Sequence, residues 1–127
     1  MANFSLYIQS LPQKGRAMFA GEFIPAFSLI ETCPMLIFNP QDGEHIKKTL
    51  LYDYYFEWGE NSDRIAIALG YGSLYNHSFE PNAEYQMDFE NNNLLIYAIT
   101  DIFAGQEICF NYNGDAEDQS PIWFETE

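Results

Sequence analysis

The sequence predicts a mainly β fold. Aromatic residues make up 17% of its 127 residues, with nine Tyr and eleven Phe, and aromatic side chains suit the half-buried surfaces of sheets. Apolar runs are short and separated by Gly, Pro, Asn and Asp, which predicts about ten strands and little helix. The length fits one domain over residues 1–127, with a core at about 4–115 and an acidic tail at 116–127.

The first half of the chain is predicted to contain three strands. Residues 4–10 alternate between apolar and polar, which predicts a strand with one buried face. Residues 11–16 hold Pro and Gly and predict a hairpin loop. The apolar runs 27–30 and 35–38 predict two consecutive strands, because Pro34 stands between them and has no backbone N–H to donate.

The second half is predicted to contain a short helix and five strands. Residues 44–50 form the candidate helix, and the strands are predicted at 52–58, 64–69, 83–88, 94–100 and 107–110. The strands at 83–88 and 94–100 form the plainest hairpin, since Glu90 and three asparagines lie between them. Several small sheets around one core are expected.

The net charge of the chain distinguishes between classes of candidate partner. The chain carries 19 acidic and five basic residues, a formal net charge of −14, and residues 65–127 hold eleven of the acids and none of the bases. Such a field repels nucleic acid and attracts a basic peptide. A solvated acidic surface that keeps the protein in solution explains the charge equally well.

Cysteine usage and hydropathy indicate an intracellular protein. Cys33 and Cys109 stand alone, without the spacing of a disulfide framework or a zinc cluster, so both are expected to be buried and no metal site is expected. A nucleophilic pair of a cysteine with His77 has no supporting feature in the sequence. No apolar run could cross a membrane and no secretion signal begins the chain, so the expected location is cytoplasmic, or nuclear in a eukaryote.

Two segments carry the functional signal: Asn76-His77-Ser78-Phe79-Glu80-Pro81-Asn82 and Gly105-Gln106-Glu107-Ile108-Cys109-Phe110-Asn111-Tyr112. Their order and spacing resemble the SET-domain lysine methyltransferases, whose diagnostic segments are N-H-S-x-x-P-N and G-x-E-I/L-x-x-x-Y. The resemblance covers roughly residues 4–115 and is closest in form to the minimal SET domains of bacteria and large viruses. It implies the β-clip fold, with several small curled sheets and a C-terminal pseudoknot that brings the two segments together.

The resemblance also implies the residues of the site. Tyr112 corresponds to the catalytic tyrosine, while a channel for the substrate lysine is implied for Tyr54, Tyr85 and Phe110. The cofactor S-adenosylmethionine is implied to contact Asn76, His77 and a glycine loop at Lys14, Gly15, Arg16, Ala17 and Met18. In that loop Ala17 replaces the second glycine of the family's G-x-G-x-F-A pattern. An aromatic pair in the tail, Trp123 and Phe124, is the candidate lid.

Each of these residues also has a structural interpretation. Tyr112 could cap a strand, Tyr54 and Tyr85 could pack a sheet, and Glu107 could be a charge at a sheet edge. His77 is not assigned as a general base, because a single histidine is more often hydrogen-bonded within the structure.

Methyl transfer to lysine requires a neutral amine aligned with the sulfonium methyl group, and a dry aromatic channel favours that neutral form. We therefore predict a protein-lysine N-methyltransferase that acts on a basic protein segment, such as a histone-like or ribosomal tail, and adds more than one methyl group because of Phe110. Neither nucleic acid nor a membrane is an expected partner, and the oligomeric state stays open, a homodimer included. The alternatives are a catalytically weak SET-fold module that binds basic peptides and an acidic mimic of nucleic acid.

Overall fold

The computed structural model describes residues 1–12 and 15–113, which contain nine strands, one α-helix and two short 3₁₀ turns. The strands are β1 (Leu6–Leu11), β2 (Gly15–Ala20), β3 (Leu29–Phe38), β4 (Phe56–Trp58), β5 (Arg64–Ala68), β6 (Asn76–His77), β7 (Ala83–Asp88), β8 (Asn93–Ala98) and β9 (Cys109–Phe110). The helix is α1 (Pro40–Ile46), and the 3₁₀ turns span Leu50–Asp53 and Gly72–Leu74.

Three sheets organise these strands. The largest is antiparallel with the order β4-β5-β3-β8-β7, β1 and β2 form a separate antiparallel hairpin, and the short strands β6 and β9 pair in parallel. The prediction of a mainly β fold made of several small sheets is confirmed. The predicted hairpin of the second half is β7 and β8, joined at Asp88 and Asn93.

The prediction of two strands between residues 27 and 38 is wrong, because β3 runs through Pro34 without a break. The strand pairs with β8 as far as Pro34 and with β5 from Met35 onward. Pro34 therefore lies where the strand changes its partner, and its carbonyl still accepts a hydrogen bond from Leu69 N at 2.9 Å. A missing donor is tolerated at such a position.

The predicted helix is also misplaced. Helix α1 begins at Pro40, because the side chain of Asn39 accepts a hydrogen bond from Asp42 N at 2.8 Å and proline suits the first turn. The predicted aromatic strand at 52–58 is shortened to β4, since its first residues belong to a 3₁₀ turn capped by Thr49. As a result, Tyr54 lies between that turn and β4, not within a strand.

The core lies between the sheets. Fully buried side chains come from β2, β3, β8 and the segment before β9, among them Met18, Ile30, Cys33, Leu94 and Ile108. As predicted, both cysteines are buried and neither forms a disulfide.

The predicted buried face of the first strand is found only at its start, where Phe4 and Leu6 pack against the core. Most of β1 is exposed, and its Tyr7 stacks on Phe19 of β2 at 5.4 Å between ring centroids. Among the described residues, no helix is long and apolar enough to cross a membrane.

Candidate active site

The two segments that carry the functional signal meet where β6 and β9 pair in parallel, a contact called here the β6–β9 crossing. Asn76 lies opposite Cys109 and His77 opposite Phe110, and Ser78 N donates a hydrogen bond to the Phe110 carbonyl at 3.2 Å. Residues more than thirty positions apart in sequence thus become neighbours, as the resemblance implied.

The asparagines of the first segment fasten this crossing. The Asn82 side chain donates to the Glu107 carbonyl at 2.8 Å and accepts from Cys109 N at 2.9 Å. The Asn76 amide donates to the Glu107 carboxylate at 2.7 Å. Because Glu107 accepts from both asparagines, it ties the two segments together and is not merely a charge at a sheet edge.

Tyr112 is fixed at three atoms. Its N–H donates to Nδ1 of His77 at 3.0 Å, its hydroxyl donates to the Tyr75 carbonyl at 2.7 Å, and its carbonyl accepts from the Tyr85 hydroxyl at 3.1 Å. The Tyr112 ring lies 5.3 Å from that of His77 and 5.8 Å from that of Phe110. These contacts leave the Tyr112 side chain little freedom to turn, and the Nδ1 atom of His77 acts as an acceptor within the structure.

An aromatic cleft of about 500 Å³ opens beside Tyr112. Eight of its lining residues are aromatic: Tyr52, Tyr54, Tyr55, Phe56, Tyr75, Tyr85, Phe110 and Tyr112. The structure therefore brings together the four residues predicted for the lysine channel and catalysis, including Tyr54 from its turn. The rings of Tyr85 and Phe110 contact each other at 5.0 Å, and Phe110 is almost completely buried.

Burial controls the ionisation of the cleft tyrosines. It raises the pKa of Tyr85 to about 12, with the Glu57 charge as a further cause. Burial also holds the pKa of Tyr112 well above its usual range, with the charges of Cys109 and Glu107 adding to the effect. Both hydroxyls stay protonated at neutral pH, so they serve as hydrogen-bond donors and not as bases.

The charges on the cleft are negative. Asp53 and Glu57 lie among its lining residues, and no Lys or Arg lies among the described residues that line it. A cationic side chain that enters the cleft therefore meets carboxylates near aromatic faces.

The predicted glycine loop lies outside this cleft. Lys14 falls outside the described residues, while Gly15, Arg16, Ala17 and Met18 belong to β2. The Met18 carbonyl accepts from Ile108 N at 2.8 Å, so the end of β2 lies against the segment that leads into β9. These four residues therefore form part of a strand and not a loop, and the Met18 end of the segment adjoins the β6–β9 crossing.

Ala17 needs no glycine at its position. It is not among the described residues with positive φ, and its side chain is fully buried in a regular pairing with Gln9. The left-handed position of this segment is Gly15, with φ of 77° and open space beside its α-carbon. The replacement of the family's second glycine thus causes no backbone strain.

Sequence reasoning did not assign four of the aromatic residues that line the cleft: Tyr52, Tyr55, Phe56 and Tyr75. Tyr75 lines the cleft and holds the Tyr112 hydroxyl through its carbonyl, and its only signal is that it directly precedes Asn76. The predicted lid, Trp123 and Phe124, lies outside the described residues. Within residues 1–12 and 15–113, no three His, Cys, Asp or Glu side chains are grouped to hold a metal ion.

Comparison with known proteins agrees with this geometry. The SET domain family model matches residues 15–113. A Schizosaccharomyces pombe protein named histone-lysine N-methyltransferase, H3 lysine-37 specific, is 37% identical over 123 residues, which cover 96% of this chain and 78% of that protein.

Solved structures show the same similarity. A Plasmodium falciparum protein described as a histone methyltransferase superposes with a TM-score of 0.65 at 29% identity, over 96% of this chain and 98% of that one. KRYPTONITE, solved in complex with mCHG DNA and SAH, gives a TM-score of 0.68 at 25% identity, over 94% of this chain and 25% of that one.

The fold, the crossing of the two segments and these similarities define the class of protein: the chain belongs to the SET-domain family. The prediction of a protein-lysine N-methyltransferase is confirmed at the level of this family and its reaction.

Proposed function

We propose that the chain transfers the methyl group of S-adenosylmethionine to a lysine in a basic protein segment, with Tyr112 as the catalytic residue. The observation that carries the proposal is the position of Tyr112, which lines the aromatic cleft and also bonds to His77 of the β6–β9 crossing. Its hydroxyl is held by the Tyr75 carbonyl at 2.7 Å. One side chain thus stands between the place proposed for the amine and the place proposed for the methyl donor.

The aromatic cleft suits the lysine side chain. Buried and half-buried aromatic walls such as Phe110 and Tyr85 exclude water from the lysine stem and favour the neutral amine, because desolvation disfavours the ammonium ion. Because the Tyr112 hydroxyl donates its proton to the Tyr75 carbonyl, its oxygen can accept a hydrogen bond from an N–H of the amine, which leaves the nitrogen lone pair free to attack the methyl group. The Tyr85 hydroxyl donates a hydrogen bond to the Tyr112 carbonyl, so we assign Tyr85 the role of supporting the wall of the cleft. We assign the number of methyl groups added to Phe110.

The β6–β9 crossing and the end of β2 suit the methyl donor. S-adenosylmethionine supplies a sulfonium methyl group that a neutral amine can displace directly. Gly15 leaves open space beside its backbone, so ligand atoms can approach this end of β2 closely, whereas Ala17 and Met18 are fully buried. Asn76 and His77 would hold the donor through backbone groups, since the Asn76 amide and Nδ1 of His77 already have partners within the protein.

The substrate is proposed to be basic. Asp53 and Glu57 line the cleft, and the whole chain carries a net charge of −14. This field attracts cationic segments and repels anionic ones. Histone tails fit this charge, and the S. pombe relative is named for a histone lysine.

Two measurements test the proposal. Transfer of labelled methyl from S-adenosylmethionine to basic lysine peptides is expected, with acidic peptides of the same length as the matched control. Calorimetry is expected to detect binding of the cofactor and of its demethylated product to the wild-type protein. Asn76→Ala is expected to weaken this binding, because it removes the bond to the Glu107 carboxylate that helps to hold the β6–β9 crossing in place. Absence of heat from folded protein at millimolar cofactor would overturn the proposal in favour of a module that only binds basic peptides.

A further inference from the structure

A buried acid lies behind the cleft, outside the residues that line it. Glu31 of β3 is 1% exposed, and it is the single buried acidic residue in the part of the chain that the structure describes. Burial of a carboxylate is costly unless hydrogen bonds replace the lost water. The structure supplies them: the Tyr75 hydroxyl donates to Oε1 at 2.7 Å and Tyr71 N donates to Oε2 at 2.9 Å.

The two bonds fasten both ends of one short turn. Tyr71 and Tyr75 flank the 3₁₀ turn Gly72–Leu74, which leads directly into β6. Gly70 has φ of 68°, and a β-carbon at that position would lie 2.5 Å from Oε2 of Glu31. The backbone therefore approaches the carboxylate as closely as only glycine permits.

Tyr75 connects this carboxylate to the proposed catalytic residue. Its hydroxyl end is bound to Glu31, and its carbonyl accepts the hydroxyl of Tyr112 at 2.7 Å. Its ring is 1% exposed and packs against Phe110 at 5.5 Å. A shift of the Tyr75 side chain would therefore move the oxygen that holds the Tyr112 hydroxyl.

We propose that Glu31 is a positioning residue for methyl transfer, which acts through Tyr75 to hold the Tyr112 hydroxyl in its reactive orientation. This inference rests on the proposed role of Tyr112. Glu31 does not line the cleft and so has no route to the substrate. Its effect is expected on the rate of transfer and not on substrate binding, because orientation matters in the transition state.

The principal variant is Tyr75→Phe, which keeps the buried ring and removes the bond to Glu31. Loss of one orienting hydrogen bond is expected to lower kcat about tenfold, with KM for peptide and affinity for cofactor unchanged. Glu31→Gln can still bridge the two ends of the turn, since its amide accepts from Tyr71 N and donates to a rotated Tyr75 hydroxyl. It is expected to retain more activity than Glu31→Ala. The matched control is Tyr97→Phe, which removes the same group from β8, outside the cleft and these contacts.

A double variant separates positioning from stability. If Tyr75 acts through Tyr112, then adding Tyr75→Phe to Tyr112→Phe removes nothing further, and the double variant is as slow as Tyr112→Phe alone. Thermal unfolding of each variant shows at which temperature all are folded, and rates are compared there.

The outcomes are distinct. Wild-type kcat in folded Tyr75→Phe, or losses that multiply in the double variant, would overturn the inference and leave the proposed function intact. Wild-type turnover in Tyr112→Phe would instead overturn both, since the role of Tyr112 itself fails. A lower melting temperature with unchanged kcat would assign Glu31 to stability alone and also overturn the inference.

Discussion

Asn82→Ala is the sharpest test of how the crossing is held. The substitution removes the two hydrogen bonds that the side chain makes to residues 107 and 109, at 2.8 and 2.9 Å. At about 0.5 to 1.5 kcal/mol for each bond, the expected loss is about 1 to 3 kcal/mol of the free energy of unfolding. The upper end applies because the freed Cys109 N–H lies in a buried residue.

Urea and thermal unfolding followed by circular dichroism measure this loss. For a chain of this size the melting temperature is expected to fall by about 4 °C per kcal/mol, or about 4 to 12 °C. The control is Asn91→Ala on the exposed hairpin loop, where the side chain bonds only to nearby Asp88 and the expected cost is under about 0.5 kcal/mol. Equal stability of the two variants would refute the role of Asn82.

Four further predictions concern the chemistry. Tyr112→Phe keeps its ring contacts, so folding and cofactor affinity are expected to persist while kcat falls by about 10²- to 10³-fold; near-normal turnover would contradict this. Exhaustive reaction is expected to give di- or trimethyl-lysine by mass spectrometry, and Phe110→Tyr is expected to shift the product toward monomethyl-lysine. Monomethyl product alone from wild type would contradict this and would mean that Tyr85 or the acidic tail closes the channel. Activity on basic peptides is expected to fall with salt as the Debye length shortens toward about 8 Å, and a flat salt profile would refute electrostatic attraction. Burial raises the pKa of the Tyr85 hydroxyl to about 12 from an ordinary value of 10. The unfolded state therefore loses this proton at lower pH than the folded state, and the free energy of unfolding is expected to be full below pH 10 and to decline above it. A constant free energy of unfolding between pH 9 and 11.5 would argue against the burial of Tyr85.

Sequence periodicity predicted the strands that pair with a strand nearby in the sequence. The hairpin of β7 and β8 and the strand β5 follow from alternation and turn residues, because their pairing partners are near in sequence or their flanks carry Gly and Asn. The wrong prediction of two strands came from Pro34, whose missing N–H excludes a strand only where a partner needs that donor. The strand predicted at 52–58 was too long, because the spacing of the Tyr residues does not distinguish a 3₁₀ turn from a strand.

The candidate site was predictable only through the resemblance. Periodicity offers no signal that Asn82 bonds to residues 107 and 109, or that Tyr75 supports Tyr112, because these contacts join distant parts of the chain. Glu31 carried a faint signal, an acid between the apolar Ile30 and the buried Cys33. The residues next to Glu31 in the sequence gave no indication that it bonds to Tyr71, forty positions away.

The pairing of β6 with β9 has a consequence for how the protein is made. The strands of the large sheet all lie before residue 99, so this sheet can form while the chain is still emerging from the ribosome. The crossing must wait for residues 109 and 110 and must then close a long loop, which is a slow, late step for contacts so distant in sequence. A nascent chain can thus hold its large sheet before the β6–β9 crossing exists, and the crossing forms only after residue 110 has been made.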